Sequence, residues 1–432
     1  MDKIEVLPSR APVVSEIFVA PDDVKRKIAF NLAISMGEPE VRVYIHSLVN
    51  KQEGGDFEFL IAKHLKDRLY SHSSGKGTKL LTLGEILSGK HAKRLAKLYA
   101  TNNEIDIDNI IANYPLLQIS VPEVNEAVNA KSWDSSNQPL LVAYMPSDRN
   151  RNTIPAFDYK GNYYELERED VEEQPVVLVS ESEWVIAVRK EGFQSSNSRI
   201  APCEEMLRSV AIHEDASYLY VFRDAYYDVS FTCGGGGSTP GGGSTPYPPV
   251  SNPSCPRDGR SNVTPDYIGN VKFKSMEALR KVAGIDPDNW DFFEGKLEFE
   301  ILIAYVKPGS TKVEYRVVAK RIPQKYFKEC RFLGFADCSV KWYNAGIQTL
   351  YWNWNTYGPA VYYEWFEIDG GEESEYNVWP GYIDLTLQPA TYITHAYDDY
   401  IGGAIVEYCD DIRSQGTKYS TDLLEFYIYQ PQ

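Results

Sequence analysis

Two tandem copies of Gly-Gly-Gly-Ser-Thr-Pro near the middle of the chain limit the folds that this sequence can adopt. The copies occupy residues 235–246, directly after Cys233, and the proline-rich stretch 247–253 follows them. Glycine gives the backbone great conformational freedom, and serine and threonine keep it hydrated, so the repeat predicts a flexible linker that the prolines stiffen. The alternative is a long loop within one domain. We place the linker at 233–261 and expect separately folded parts on either side of it.

Residues 1–115 predict a helical module. Apolar side chains recur at steps of four from Val24 to Met36, after a Pro-Asp-Asp sequence that is typical of a helix start. The clearest predicted helix covers residues 56–70, and Thr82-Leu-Gly-Glu85 matches a capping box. We expect short helices packed as a small bundle.

Residues 116–232 predict a β-rich module, with or without a core of its own. The apolar runs are short, and polar loops separate them. Asp158-Tyr-Lys-Gly-Asn-Tyr-Tyr164 is typical of a β-hairpin. The predicted strands cover residues 116–121, 140–144, 176–179 and 184–188.

Residues 262–432 predict an antiparallel β-sandwich preceded by one short helix, Met276 to Val282, with Ser275 as its cap. Residues 296–306 and 312–320 alternate apolar and polar side chains around a Pro-Gly turn, which predicts a hairpin with one buried face. The regular spacing of short strands favours a sandwich. Further strands are predicted near 348–354, 360–367, 382–388, 402–408 and 422–429. The predicted fold class is α+β in several domains.

Six cysteines bear on the cellular compartment. An even number of cysteines in a chain with a Gly/Ser/Thr/Pro linker favours disulfides and an oxidising environment, whereas the alternative is a set of buried thiols. Cys233 and Cys255 flank the linker, and Cys330 and Cys338 lie eight residues apart, so both pairs are candidates. No CxxC pair or zinc-type spacing with histidine occurs.

The charge of the chain excludes some partners. The formal net charge is −17, and residues 342–432 hold 14 acidic residues against Arg413 and Lys418. A general nucleic-acid binder needs basic stripes, so we expect no nucleic-acid partner. No apolar run approaches the length of a membrane span, so we expect none.

Catalytic motifs are lacking in the sequence. It contains no HExxH, GxSxG, GxGxxG or P-loop pattern. We therefore predict no catalytic residue. Two other hypotheses remain open: a secreted hydrolase that uses polar groups such as His213, Glu214 and Asp215, and a toxin-like protein that acts on membranes or cell envelopes.

Aromatic residues are concentrated between positions 342 and 365. Strand alternation cannot bury all of them on one face, and exposed aromatic rings beside asparagine and acidic groups suit a sugar or a protein partner. The alternative is that both faces are covered and the rings belong to the core. The predicted ligand-binding residues are Trp342, Trp352, Trp354, Tyr357 and Trp365.

Acidic pairs make calcium the one cofactor to consider. Ca²⁺ takes six to eight oxygen ligands, which loops at one end of a sandwich can supply. Asp398 and Asp399 are the candidate ligands, and a hydrated acidic surface is the alternative.

Two stretches resemble known families. The segment Leu116-Leu-Gln-Ile-Ser-Val-Pro122 and the later runs 138–143, 154–158 and 175–181 resemble uncharacterised secreted lipoproteins of Bacteroidetes over about 170 residues. This resemblance implies a lipid-anchored mature chain. Tyr397-Asp-Asp-Tyr-Ile-Gly-Gly403 resembles the acidic loop and strand of C2-like β-sandwiches, although Thr394 and His395 stand where that family has aspartates.

The N-terminal residues lack the apolar stretch of a signal peptide. The chain is therefore either cytoplasmic or a mature secreted protein, and the linker and cysteines favour the second interpretation. We expect a secreted or surface-anchored, non-enzymatic binding protein whose C-terminal β-sandwich contacts a glycan or a protein.

Overall fold

The structure is a computed structural model of the chain. The described residues are 19–53, 56–71, 79–95, 103–123, 128–148, 151, 153–190, 201–233, 255, 260–261, 263–283, 296–330, 338–369, 373–381, 386–412 and 416–431. The Gly/Ser/Thr/Pro repeat of the predicted linker lies outside them.

The chain forms two compact units. Unit 1 comprises residues 1–229 and 287–295, and unit 2 comprises residues 230–286 and 296–432. Both units combine helices with mainly antiparallel sheets, so the fold class is α+β.

Unit 1 begins with helices and continues with alternating short strands and helices. Its helices are α1 (Asp22–Ser35), α2 (Pro39–Val49), α3 (Ile61–His64), α4 (Leu83–Leu87), α5 (Lys90–Leu95), α6 (Ile107–Asn113), α7 (Arg168–Glu173), α8 (Ala201–Val210) and α9 (Arg223–Cys233), the last of which crosses into unit 2. Its strands are β1 (Glu58–Leu60), β2 (Arg68–Ser71), β3 (Lys79–Thr82), β4 (Leu117–Ser120), β5 (Val142–Tyr144), β6 (Ile154–Phe157), β7 (Tyr163–Leu166), β8 (Val177–Glu181), β9 (Val185–Arg189), β10 (His213–Glu214) and β11 (Tyr218–Phe222).

The strands of unit 1 form a six-stranded sheet of order β1-β4-β8-β5-β6-β7, a three-stranded sheet of order β10-β11-β9 and the pair β2-β3. Strands β5 and β8 are parallel, and the other neighbours are antiparallel. Ile28 and Leu32 of α1 belong to the same apolar core as Ile119 of β4 and Val142 of β5. The N-terminal helices and the central strands of the six-stranded sheet therefore share one core, whereas β9 and β11 contribute to a separate apolar cluster.

Of two local sequence predictions in unit 1, one is confirmed and one is wrong. The capping box is confirmed, since the Thr82 hydroxyl accepts from the Glu85 amide and the Glu85 carboxylate accepts from the Thr82 amide. The predicted helix at 56–70 is wrong, because the segment holds β1, the single turn α3 and β2. Phe59 pairs with Ile119 of β4, so sheet pairing overrides the helical periodicity.

The described part of unit 2 contains two short α-helices and twelve strands. The helices are α10 (Met276–Val282) and α11 (Trp354–Tyr357). The strands are β12 (Tyr267–Phe273), β13 (Lys296–Val306), β14 (Val313–Pro323), β15 (Lys328–Cys330), β16 (Cys338–Val340), β17 (Tyr343–Gln348), β18 (Ala360–Glu367), β19 (Glu373–Val378), β20 (Ala390–His395), β21 (Asp399–Glu407), β22 (Thr417–Ser420) and β23 (Leu424–Tyr429).

Two four-stranded antiparallel sheets organise unit 2. Sheet I has the order β17-β12-β23-β22, and sheet II has the order β14-β13-β18-β21. Phe273 of sheet I lies 6.4 Å from Phe299 of sheet II between ring centroids, and Trp365 of sheet II lies 5.3 Å from Phe426 of sheet I. One apolar core thus lies between the two sheets. The pairs β15-β16 and β19-β20 form separate hairpins.

The predicted hairpin between 296 and 320 is confirmed. Strands β13 and β14 pair antiparallel from Lys296 opposite Pro323 to Val306 opposite Val313. Phe299, Ile301 and their neighbours at steps of two belong to the core. The prediction of a single buried face is wrong for β13, because Glu300 and Leu302 on its other face are also buried.

A disulfide joins distant parts of unit 2. Cys255 is bonded to Cys409, 154 residues further along the chain. The predicted pairing of Cys255 with Cys233 is therefore wrong. Cys338 is also disulfide-bonded, and the backbone of Cys330 lies opposite it in the β15-β16 register. Spacing along the chain could not reveal the long-range pairing, because it depends on how β21 approaches residue 255.

Among the described residues, no helix combines the length and apolar character required to cross a bilayer.

Candidate functional site

The outward face of sheet I carries a row of aromatic side chains. Alternation along β23 buries Leu424, Phe426 and Ile428 and turns Tyr427 and Tyr429 outward, where both are half-buried. We call the outward side chains Tyr267, Trp342, Tyr427 and Tyr429, together with the polar groups between them, the aromatic face.

Trp342 is the most exposed ring of the aromatic face. It directly precedes β17, and 38% of its surface is accessible. Its ring centroid lies 5.2 Å from that of Tyr427. The Nζ atoms of Lys272 on β12 and Lys418 on β22 lie 5.8 and 5.9 Å from the same Trp342 centroid. Side chains from β12, β22 and β23 therefore lie around the indole, and two of them carry ammonium groups.

Tyr267 and Tyr429 form a second pair of rings on this face. They are register partners on β12 and β23, and their centroids lie 5.7 Å apart. Gly269 permits this arrangement, since a Cβ atom at that position would lie 2.9 Å from the Tyr429 ring. The Tyr267 hydroxyl donates a hydrogen bond of 3.2 Å to Oε1 of Gln348.

Polar side chains lie among these rings. Asn270 and Asn344 are opposite each other on β12 and β17, and both are exposed. Lys418 forms an ion pair of 2.6 Å with Glu425, which is also the register partner of Lys272. The face therefore combines apolar rings with amide groups, and it holds two lysines for one carboxylate.

The structure separates the five predicted ligand-binding residues. Trp342 lies on the aromatic face, whereas Trp352, Tyr357 and Trp365 are buried in the core of unit 2. Trp354 is half-buried and packs 5.2 Å from Tyr408.

The prediction is wrong for Trp352, Tyr357 and Trp365, because their side chains are buried in unit 2. Trp365 and Tyr363 alternate onto the inward face of β18, which sheet I covers. Trp352 lies in the segment between β17 and α11, and its indole Nε1 donates a hydrogen bond of 3.1 Å to the carbonyl of Gly358. The predicted strand near 348–354 is also wrong, because β17 ends at Gln348. These rings belong to the core, so a ligand cannot stack on them.

Tyr267, Tyr427 and Tyr429 were missed because they lie outside the aromatic-rich window. A usable signal was present in Leu424-Glu-Phe-Tyr-Ile-Tyr429, where every second residue is apolar and the tyrosines occupy the opposite face. The register with β12 brings Tyr267 to the same place, and the sequence has no local sign of that.

The predicted calcium ligands have internal roles. Asp398 is buried, and its carboxylate accepts from the amides of Asp369 and His395 at 3.1 and 2.7 Å. Burial raises the pKa of Asp399. Within the described part of the chain, no three His, Cys, Asp or Glu side chains are grouped in a way that could hold a metal ion. Asp398 therefore stabilises the turn between β20 and β21.

The polar residues of the hydrolase hypothesis are also engaged within unit 1. Glu214 is paired with Lys190 and Arg208. Asp215 accepts hydrogen bonds from the amides of residues 217 and 218 and from the Tyr220 hydroxyl. Burial lowers the pKa of His213. These contacts stabilise the β10-β11 hairpin.

Unit 1 has a groove of about 770 Å³ beside α4 and α6. Its lining mixes cations such as Lys66 and Arg68 with acids such as Glu85 and Asp106. Glu85 and Asp106 cap α4 and α6, so these two carboxylates serve the helices.

Comparison of the chain with family models, with curated proteins and with solved structures finds no match. The aromatic face therefore has to be interpreted from its own chemistry.

Proposed function

We propose that this protein is a non-enzymatic glycan-binding protein and that the sugar lies on the aromatic face of sheet I. The observation that carries the proposal is the row of rings Trp342, Tyr427, Tyr429 and Tyr267 on one outward sheet face. Tyrosine and tryptophan offer a broad apolar surface with a polar edge, which suits a sugar ring with its C–H face and its hydroxyls.

The polar groups of the face favour specific recognition. Asn270 and Asn344 each have an amide that donates and accepts hydrogen bonds, as sugar hydroxyls do. Half-buried rings require little ordering on binding, which limits the entropy lost on association. A protein partner would pack on the same rings, so protein binding is the competing hypothesis.

The charges beside Trp342 support an acidic sugar as the ligand. Lys272 and Lys418 lie on either side of Glu425 in the sheet, which leaves one positive charge in excess at this place in a chain of net charge −17. An ammonium beside an aromatic ring attracts a carboxylate or sulfate on a sugar that stacks there. Uronic acids and sulfated sugars have this combination.

The architecture of unit 2 is consistent with such a role. We interpret sheets I and II as the two layers of a β-sandwich, with the aromatic ring contacts between them forming part of its core. The hairpin β19-β20 covers the outward face of sheet II, whereas the rings on the outward face of sheet I remain partly accessible. Sheet I is thus the better platform for a ligand.

A location outside the cytoplasm fits this function. The Cys255–Cys409 disulfide supports an oxidising environment, and the resemblance of unit 1 to secreted lipoproteins suggests a surface-anchored mature chain. Cell-surface glycans would then be the available partners.

Binding of the full chain to neutral and uronic-acid polysaccharides tests the proposal by isothermal titration calorimetry. Trp342→Ala and Tyr427→Ala should weaken binding at least about tenfold, since each loses a ring contact. Lys272→Gln should weaken binding to the acidic polysaccharide alone. Tyr163→Ala, which removes an exposed tyrosine of unit 1, is the matched control and should bind normally.

Two outcomes would contradict the proposal. One is the absence of binding to either class of polysaccharide. The other is binding that Trp342→Ala and Tyr427→Ala leave unchanged while circular dichroism shows that both variants are folded.

A further inference from the structure

The hairpin β19-β20 attaches to sheet II mainly through side chains. In the described residues its strands form ladder hydrogen bonds with each other and with no four-stranded sheet. The rings of Tyr376 and Tyr392 pack 5.3 and 5.7 Å from that of Phe366 on β18. Main-chain hydrogen bonds tie the hairpin to sheet II at Gln388, ahead of β20, where the Gln388 amide donates to the Thr311 carbonyl and its carbonyl accepts from the Val313 amide. The hairpin is therefore a lid attached at both ends, by Gln388 near its turn and at its base by the connections to β18 and β21, where Asp398 accepts from the Asp369 amide.

Two phenols of this lid reach two carboxyl groups of sheet II. The Tyr376 hydroxyl donates a hydrogen bond of 2.7 Å to Oε1 of Glu364 on β18. The Tyr392 hydroxyl donates to Glu300 on β13. Both glutamates are buried under the hairpin, with exposures of 3% and 0%.

Glu364 lies in surroundings that disfavour its charged form. Its register neighbours are Leu302 on β13 and Gly403 on β21, which has no side chain. Its Oε2 is buried and has no hydrogen-bond partner. A desolvated carboxylate without a cation is costly, whereas the protonated form is tolerated.

Among the described residues, the strand register and the hydrogen bonds place acids and phenols around Glu364. Glu300 lies diagonally across on β13, Tyr362 is two residues away on β18, and Tyr400 projects from β21. The hairpin contributes Tyr376 and Tyr392, and Asp422 acts on Tyr362. Neither Lys nor Arg is among the groups that shift the Glu364 pKa. Ionisation would therefore add a negative charge beside groups that cannot compensate it.

We infer that the hairpin β19-β20 is a proton-controlled lid, docked on sheet II while Glu364 is neutral and loosened when Glu364 ionises. Release would uncover an acidic and aromatic surface on the outward face of sheet II, centred on Phe366 and the two glutamates. This surface is distinct from the aromatic face and does not depend on the glycan-binding proposal.

The direction of the pH effect follows from the proton affinity of Glu364. Burial raises its pKa to about 7, and the hydrogen bond from Tyr376 lowers it in part. In the undocked state the group is solvated and has its ordinary, lower pKa. The docked state therefore binds the proton more tightly, so docking is strongest in acid and weakens as the pH rises from about 5 through about 7. The docking equilibrium should be about tenfold weaker at pH 8 than at pH 6.

Hydrogen exchange of the full chain, followed by mass spectrometry and corrected for intrinsic amide rates, measures the docking. Protection of residues 373–378 and 390–395 should fall about tenfold from pH 6 to pH 8, while β13 and β14 keep theirs. Glu364→Gln carries no titratable group, so its lid should be equally protected at both pH values. Unchanged wild-type protection would overturn the inference. A pH dependence that persists in Glu364→Gln would also overturn it.

Tyr376→Phe provides a second test that keeps the ring and its packing. It removes the hydrogen bond that holds the Glu364 pKa down, so the midpoint of the loss of protection should move to higher pH. A midpoint that stays in place, or moves to lower pH, would contradict control by Glu364 even if Glu364→Gln fails to fold.

Discussion

The guanidinium carbon of Arg260 lies 4.3 Å from the ring centroid of Trp352, and both side chains are buried in unit 2. The Nε atom of Arg260 also donates to Oδ2 of Asp266 at 2.9 Å, and neither side chain of this ion pair is accessible to solvent. Arg260 further donates to the carbonyl of Glu407 on β21. One cation thus connects the start of β12, a core indole and sheet II.

Removal of Arg260 should destabilise unit 2 strongly. Arg260→Met leaves the Asp266 carboxyl buried without its cation, at an expected cost of about 3–5 kcal/mol in the free energy of unfolding. Urea denaturation measures this loss. The double variant Arg260→Met, Asp266→Asn removes the unpaired charge and should recover part of the stability. If Arg260→Met lowers the free energy of unfolding by less than about 1 kcal/mol, the Arg260–Asp266 ion pair contributes little to stability and the prediction is wrong.

The buried ion pair of unit 1 should behave in the same way. Lys25 of α1 is 1% exposed and lies 3.2 Å from Oε1 of Glu181 at the end of β8, and Glu181 also accepts from the Ala20 amide. Glu181→Leu should cost about 3 kcal/mol, because a buried ammonium and an amide lose their acceptor.

Asp23→Ala is the matched control for this experiment. Its carboxylate pairs with Arg26 and Lys27 on the same helix but is 58% exposed. Screening by water should limit the loss to about 1 kcal/mol or less. Equal losses in thermal or urea denaturation of the two variants would contradict the distinction.

The Cys255–Cys409 disulfide should stabilise unit 2 through the unfolded state. It closes a loop of 154 residues, for which chain entropy gives a stabilisation of up to about 5 kcal/mol. The variant with both cysteines changed to serine should denature at a lower urea concentration than the oxidised wild type. A reductant should lower the urea midpoint of the wild type and should change the urea midpoint of the variant less. An identical midpoint for the two oxidised proteins would refute the prediction.

Gly269→Ala should alter the aromatic face without removing a ring. The new Cβ would lie 2.9 Å from the Tyr429 ring, so the ring has to move away from β12. On the glycan-binding proposal, affinity for the acidic polysaccharide should fall severalfold. Tyr163→Ala, which removes an exposed tyrosine of unit 1, is the control, and its affinity should stay close to that of the wild type. Calorimetry on both variants checks the difference.

Short-range signals predicted the elements whose determinants are local. The capping box at Thr82, the Ser275 cap of α10 and the β13-β14 hairpin all depend on residues close together in the chain. Segment 56–70 failed because its partner Ile119 lies about 60 residues away, and pairing with that partner outweighs helical periodicity.

The candidate site was predicted only in part. Trp342 was correctly placed among the exposed residues, whereas Trp352 and Trp365 are core residues. The partners of Trp342 on the aromatic face, Tyr427 and Tyr429, lie more than 80 residues further along the chain. Only the register of β12 with β17 and β23 brings the rings to one surface.

The sequence alone determined which residues alternate along β13, β14 and β23, because backbone geometry sends neighbouring side chains to opposite faces. It also determined that the negative charge lies in the β-rich segments, with 14 acidic residues against two basic ones in residues 342–432. The tertiary structure decided which face of each strand is covered, which cysteine Cys255 meets, and that Glu364 is buried beneath Tyr376. The reason is physical: burial and pairing depend on what other segments bring to the same place, and a local pattern contains no information about those distant segments.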